Sequence, residues 1–372
     1  MATGHYCRAA RWSPHSGLVR AGLAVTFAFA STCASSASTE NQWALRFLNA
    51  ERVWQLTRGT GIRVAVVDTG VQSDTDLANS LTTGADFSAA TGQNVGDGLI
   101  DTDSYGHGTG EASLIAGSGS AGDIGTLGLA PEADIVPVRA SENGMSAKWV
   151  FGAAPAVEYA TSHGCRVINL AFALGADSEE IHHAIQDAIT HDVVVVAAVG
   201  NDGTSQQYYP AAWPGVVGVG AIDSSGNVWE RSNTGPDVAL VAPGVHILRD
   251  DNRGRVGYSD GTSEATAYVS AAAALVRSAH PAWSAAEVVA ALKATAYKPA
   301  AIHGAARDDR YGAGILNVLG AVSLARPPDV GGVGKPAQRN GTRVWWWVIG
   351  GAAAAAGGAV AIGLTMRRRR GA

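Results

Sequence analysis

The chain has 372 residues, 47% of them apolar, and a formal net charge of -5. That apolar content supports a sizeable core without disulfide staples. The small net charge, with no basic patch interleaved with aromatics in the body, argues against a nucleic-acid partner.

At the N-terminus, Arg8, Arg11 and Arg20 precede a compact apolar run over 21–30 and small residues over 31–38. This order predicts an export signal over 1–38 cleaved near Ala37, because about ten apolar residues are too few to span a bilayer that needs about twenty. No large aliphatic precedes Cys33, which argues against lipid attachment. Removing the signal leaves Cys165 as the lone thiol of an exported protein, expected to be a small buried hydrophobe rather than a nucleophile.

From about residue 61 to 322, short apolar runs alternate with longer helical segments, the pattern of a parallel sheet covered by helices. Strands are predicted over 62–67, 134–139, 166–170, 193–199 and 216–221. These runs are rich in Val and Ile and hardly alternate, as strands buried on both faces do. Helices are predicted over 108–116, 147–163, 178–191, 262–279 and 284–294, the last starting at a capping-box spacing between Ser284 and Glu287. In such a sheet the loops at the carboxyl ends of the strands form the ligand crevice. Asp68 and Asn201 fall there.

Segment 326–343, rich in Pro and Gly, reads as a flexible linker. Residues 344–366 supply about twenty uncharged apolar positions, long enough for a transmembrane helix. Trp345, Trp346 and Trp347 mark its outer edge, and Arg367, Arg368, Arg369 and Arg370 form a basic tail over 367–372. Both flanks predict the same topology, with the body outside and the tail inside. The expectation is a single-pass cell-membrane protein with an extracellular domain over 39–325.

Three short segments carry chemistry: Asp68-Thr69-Gly70, Gly106-His107-Gly108-Thr109 and Gly261-Thr262-Ser263. A serine hydroxyl becomes a nucleophile when an imidazole accepts its proton, and the imidazole needs a carboxylate to hold its tautomer. An aspartic protease would need two Asp-Thr-Gly segments, and the chain has one.

Together with Gln42-Trp43-Ala44-Leu45, Val64-Ala65-Val66-Val67, Gly128-Leu129-Ala130-Pro131, Val167-Ile168-Asn169-Leu170, Val241-Ala242-Pro243-Gly244 and Tyr311-Gly312-Ala313-Gly314, these segments make the chain resemble the subtilisin-like serine proteases. The combination with a signal and a C-terminal helix is most similar to the mycosins associated with type VII secretion. The resemblance implies an α/β fold of three layers with a mostly parallel central sheet. It also implies a serine endopeptidase in which Ser263 attacks, His107 transfers the proton, Asp68 orients His107, and Asn201 with the Ser263 N–H stabilises the oxyanion. Ala171, Phe172 and Ala173 stand where the family has its substrate-binding strand, and the bulk of this segment is expected to narrow the specificity pocket.

Too few residues follow the signal for the folding propeptide of secreted relatives, so the arm carrying Trp43, Phe47, Leu48 and Trp54 is expected to pack on the body. Glu264 departs from the small or apolar residue usual after the nucleophile, and low activity is expected unless its carboxylate points away from the developing negative charge. Asp74, Asp76, Asp97, Asp101 and Asp103 lie in loops. Structural calcium has no supporting motif there, solvated loop charge is the simpler expectation, and no cofactor is required. The expected partners are a peptide or protein substrate, the bilayer, and type VII secretion membrane components. The competing reading is a weakly active or non-catalytic structural subunit stabilising a secretion membrane complex.

Overall fold

The computed structural model describes residues 42–89, 91–120, 125–142, 149–302 and 305–330. The expected signal segment, residues 331–343 of the linker, the span over 344–366 and the basic tail lie outside the described residues. Among the described residues no helix is long and apolar enough to cross a membrane.

The elements run α1 (Trp43–Phe47), α2 (Ala50–Trp54), β1 (Arg63–Asp68), β2 (Ala85–Asp86), α3 (His107–Ala116), β3 (Asp134–Arg139), α4 (Trp149–Ser162), β4 (Val167–Leu170), α5 (Glu179–Thr190) and β5 (Val194–Ala198). There follow β6 (Val217–Ile222), β7 (Val238–Pro243), β8 (Ile247–Asp250), β9 (Val256–Ser259), α6 (Thr262–Ala279), α7 (Ala285–Ala294) and α8 (Val318–Val322). Seven strands form one parallel sheet in the order β2-β3-β1-β4-β5-β6-β7, and β8 and β9 make a separate antiparallel hairpin.

Each central strand divides its side chains between two apolar layers. Val64 and Val66 of β1 pack with α3, α6 and α7, whereas Ala65 and Val67 pack with α4 and α5. Val194 and Val196 of β5 join the first layer, and Val195 and Ala197 the second. With both faces covered there is no polar side to write into the sequence, hence the unbroken apolar runs.

Helix α6 is buried over nearly its whole length and runs through the first layer. Its polar residues are met one by one: Ser270 donates to Asn169 Oδ1 at 2.8 Å, Thr266 to the Thr262 carbonyl at 2.7 Å, and Arg277 to the Asp192 carbonyl. The capping box at Ser284 and Glu287 is present.

Several elements go beyond the sequence expectation, among them β7 and the β8–β9 hairpin. β7 extends the sheet beyond β6, although its Val-Ala-Leu-Val-Ala-Pro run ends in a proline; as an edge strand it tolerates the lost donor. The β8–β9 hairpin was not foreseen because Arg249 and Asp250, charged residues in β8, are buried for reasons local sequence does not reveal. The N-terminal arm packs on the body: Leu45, Leu48 and Val53 are buried, and Trp54 donates its indole N–H to the Leu129 carbonyl at 2.8 Å.

Candidate active site

β1 is the strand at which the order reverses, with β3 on one side and β4 on the other, so its carboxyl end opens on the crevice of the sheet. Asp68 is its last residue and is fully buried. His107 is the first residue of α3, which crosses directly above Asp68. That approach requires a glycine next to the histidine: a Cβ on Gly108 would stand 2.1 Å from the Gly70 carbonyl oxygen and 3.1 Å from Asp68 Cβ. The start of α3 is tied down from below. Thr69 Oγ1 accepts the Gly108 N–H at 3.0 Å and donates to Asp101 Oδ1 at 2.9 Å, while Asp101 Oδ2 accepts the N–H and hydroxyl of Thr109 at 3.0 and 2.6 Å.

His107 Nδ1 lies 2.8 Å from Asp68 Oδ1, and the imidazole keeps 24% of its side chain open. Burial pushes the imidazole down. The charge and hydrogen bond of Asp68, with Glu111 one turn further along α3, outweigh that and raise it to about 10, against a small opposing effect of Arg249.

Ser263 is the second residue of α6, at the end of the helix where unpaired N–H groups and the dipole favour negative charge. Its hydroxyl donates to the Ala171 carbonyl oxygen at 2.8 Å rather than to His107. Asn201 is held beside it by Thr262, whose N–H and hydroxyl donate to Asn201 Oδ1 at 2.9 and 2.8 Å. With its oxygen so engaged, the carboxamide presents its NH2 as the free donor. The loop that carries Asn201 is fixed by buried Asn233, which donates to the Val199 carbonyl at 3.0 Å and accepts the N–H groups of Asp202 and Thr204 at 3.1 and 3.2 Å.

The structure thus brings Asp68, His107, Ser263, Asn201 and Ala171 to one edge of the sheet. Ala171 and Phe172 are buried and Ala173 is half-buried, and Phe172 belongs to the apolar layer shared with α4 and α5. Glu264 is buried, its Oε1 3.4 Å from Arg249 Nε. Thr262, Asn233, Arg249 and Glu111 escaped the sequence reading. Thr262 was signalled by its place within Gly-Thr-Ser, but the other three sit in no recognisable spacing.

The loop aspartates are not all solvated charges, as the sequence suggested. Asp76, Asp101 and Asp103 are buried, because their carboxylates take up backbone and hydroxyl donors: Asp76 Oδ2 accepts the Thr126 N–H at 2.7 Å, and Asp103 Oδ2 that of Tyr105 at 2.8 Å. Cys165 is buried just before β4 and its thiol is pushed up to about 12 by burial, which keeps it protonated and unreactive.

The profile of the peptidase S8 subtilase family matches residues 59–314. The chain belongs to the subtilase family. Subtilisin BL of Lederbergia lenta is 34% identical over 264 residues, 71% of this chain and 91% of that protein. An intracellular serine protease of Paenibacillus polymyxa is 34% identical over 241 residues, 63% of this chain and 72% of that one. Among solved structures, the MycP3 protease from the type VII (ESX-3) secretion system has a TM-score of 0.64 at 32% identity, covering 76% of this chain and 88% of that chain. MycP1 from Mycobacterium smegmatis has a TM-score of 0.66 at 27% identity, covering 77% and 85%. The family makes this subtilase a serine-type endopeptidase by descent.

Proposed function

We propose that the protein is a membrane-anchored, extracellular serine endopeptidase that cleaves exported proteins in the setting of type VII secretion. The observation that carries the catalytic part is the 2.8 Å contact between His107 Nδ1 and Asp68 Oδ1, with Ser263 at the first turn of α6 on the same edge of the sheet.

In this reading an extended peptide adds as a strand along the crevice. Ser263 Oγ leaves the Ala171 carbonyl by rotation about χ1, passes its proton to His107 Nε2 and attacks the scissile carbonyl. Asp68 keeps the Nδ1 proton facing inward, so that Nε2 is the basic nitrogen, and stabilises the imidazolium that forms. The tetrahedral oxyanion lies between the Asn201 NH2 and the Ser263 N–H. His107 then protonates the leaving amine, the acyl-enzyme forms, and water attacks it by the same route in reverse.

Likeness to MycP1 and MycP3 supports the secretion setting. The export signal over 1–38 and the apolar run over 344–366, followed by four arginines, support the location. Incubating the purified protein with a fluorophosphonate probe tests the chemistry. Labelling that Ser263→Ala abolishes is the expected result, and a folded wild type that takes no label would favour a structural subunit instead.

A further inference from the structure

Two buried carboxyls flank the three reacting residues without being part of them. Glu264 follows Ser263 in the first turn of α6 and is 2% exposed; Glu111 stands one turn beyond His107 in α3 and is 0% exposed. Both Glu111 oxygens are buried without a hydrogen-bond partner among the described residues. Ionised groups are rarely kept so deep unless a counter-charge holds them.

For Glu264 the counter-charge comes from the β8–β9 hairpin. Arg249 of β8 is buried and runs under the start of α3, its Nε 3.4 Å from Glu264 Oε1. Its Nη1 donates to the carbonyl oxygens of Gly106 at 3.1 Å and Asp250 at 3.2 Å. Room for the guanidinium exists because α3 has a glycine there: a Cβ on Gly110 would sit 2.0 Å from Arg249 Nη1. Gly106 immediately precedes His107, and Glu264 immediately follows Ser263. A path through buried Ser263, Glu264 and Arg249 therefore runs to Gly106 and His107.

We propose that Arg249 and Glu264 are positioning residues that fix the placement of His107 relative to Ser263 and set the field at the imidazole from beneath. The proposal rests on the assignment of Ser263 and His107 as nucleophile and base. α3 and the Gly-Thr-Ser turn belong to separate elements, and their relative placement is what governs proton transfer from Ser263 to His107. A strut between the residues flanking them holds that placement without occupying the crevice. The charged and titratable groups around the imidazole are Asp68 from β1, Glu111 from α3 and Arg249 from β8; Glu264 and Tyr268 of α6 lie behind them. Asp68 and Glu111 raise the proton affinity of His107, and Arg249 lowers it. The same residues that place the base thus tune it.

The test uses the full chain with a fluorophosphonate and a fluorogenic peptide, comparing wild type with Arg249→Met, Arg249→Lys, Glu264→Gln and the Arg249→Met/Glu264→Gln double variant. Arg249→Met is expected to lower kcat by about ten- to a hundredfold at little changed KM, and to move the acid limb of the pH profile upward. Arg249→Lys, which keeps the charge but not the Nη1 bonds to the Gly106 and Asp250 carbonyls, should restore the limb more than the rate. The double variant should be no slower than the worse single one, since both cut the same path. Folded variants with unmoved kcat and acid limb overturn the proposal while leaving the nucleophile and base in place. If Arg249→Met does not fold, Arg249→Lys decides, because an unchanged kcat there removes those Nη1 bonds from any positioning role. A wild type that takes no label would instead overturn the assignment of Ser263 itself, a result distinct from both.

Discussion

Thr262 grips Asn201 through two donors to one oxygen, its N–H at 2.9 Å and its hydroxyl at 2.8 Å, so the residue beside the nucleophile aims the proposed oxyanion donor. Asn201→Ala is expected to reduce kcat by about two to three powers of ten with KM nearly constant, the magnitude found for such a donor in subtilisin, a relative of this chain. Thr262→Val keeps the shape but loses the hydroxyl donor, so a smaller loss is expected. Steady-state kinetics on one peptide substrate checks both, and an Asn201→Ala enzyme of wild-type kcat would remove the carboxamide from the oxyanion.

Asp68 gives one oxygen to His107 Nδ1 and shares it with the Thr69 N–H at 2.8 Å. Asp68→Asn offers an NH2 or a weaker acceptor at that place and favours the wrong tautomer of the imidazole. A fall in kcat of about four orders of magnitude is expected, by comparison with the triad aspartate of serine proteases. Its readout is single-turnover acylation, compared with Ser263→Ala as the floor.

The pH profile should differ from that of a free imidazole. Sequence alone places the acid limb near 6 to 7, around the ordinary imidazole value. With His107 raised to about 10 by Asp68 against the effect of burial, the limb moves to the alkaline side, above about 7. The same shift makes a stability statement. A histidine whose folded value exceeds its unfolded one contributes its full stabilisation below about 6.5, and loses it as pH rises through about 10. Melting temperatures of wild type and Asp68→Asn should therefore converge as pH climbs through that window.

Glu111 carries the opposite prospect. Burial, then the nearby Glu264 charge, hold its carboxyl well above the usual range, which His107 and Arg249 only partly offset. For an acid raised on folding, stability falls as pH rises from the unfolded value of about 4.5 towards the folded one, because ionisation is then resisted in the native state alone. Glu111→Gln should match wild type in stability near pH 4 and exceed it progressively at higher pH, as read by urea melts across that range. Equal stability at all values would show that Glu111 is charged in the folded protein.

The arm ahead of β1 gives a test of packing. Trp54 donates to the Leu129 carbonyl at 2.8 Å, and Leu45, Leu48 and Val53 are buried. Leu45→Ala is expected to cost about 2 to 5 kcal/mol of folding stability, as for other buried leucines. Denaturant unfolding measures it; a loss below about 1 kcal/mol would mean that the arm is not part of the core.

Much of this was legible in the amino-acid sequence alone. Unbroken Val and Ile runs between helical segments disclosed the parallel sheet, since strands covered on both faces write no polar alternation. Asp68, His107 and Ser263 stood out because each lies in a short glycine-rich segment, and Ser284 with Glu287 marked a helix start because capping is a local interaction. Tertiary structure alone decided that Asp101 is a buried anchor for α3 rather than a solvated charge, that Phe172 joins the core, and that Asn233 braces the loop of Asn201. It also decided the fate of Glu264. Whether a carboxylate beside the nucleophile opposes catalysis depends on where its counter-charge sits, and Arg249 of β8 meets it only when the β8–β9 hairpin folds back on the start of α6. Local propensity is set by neighbours along the chain, whereas burial and charge compensation are set by neighbours in space.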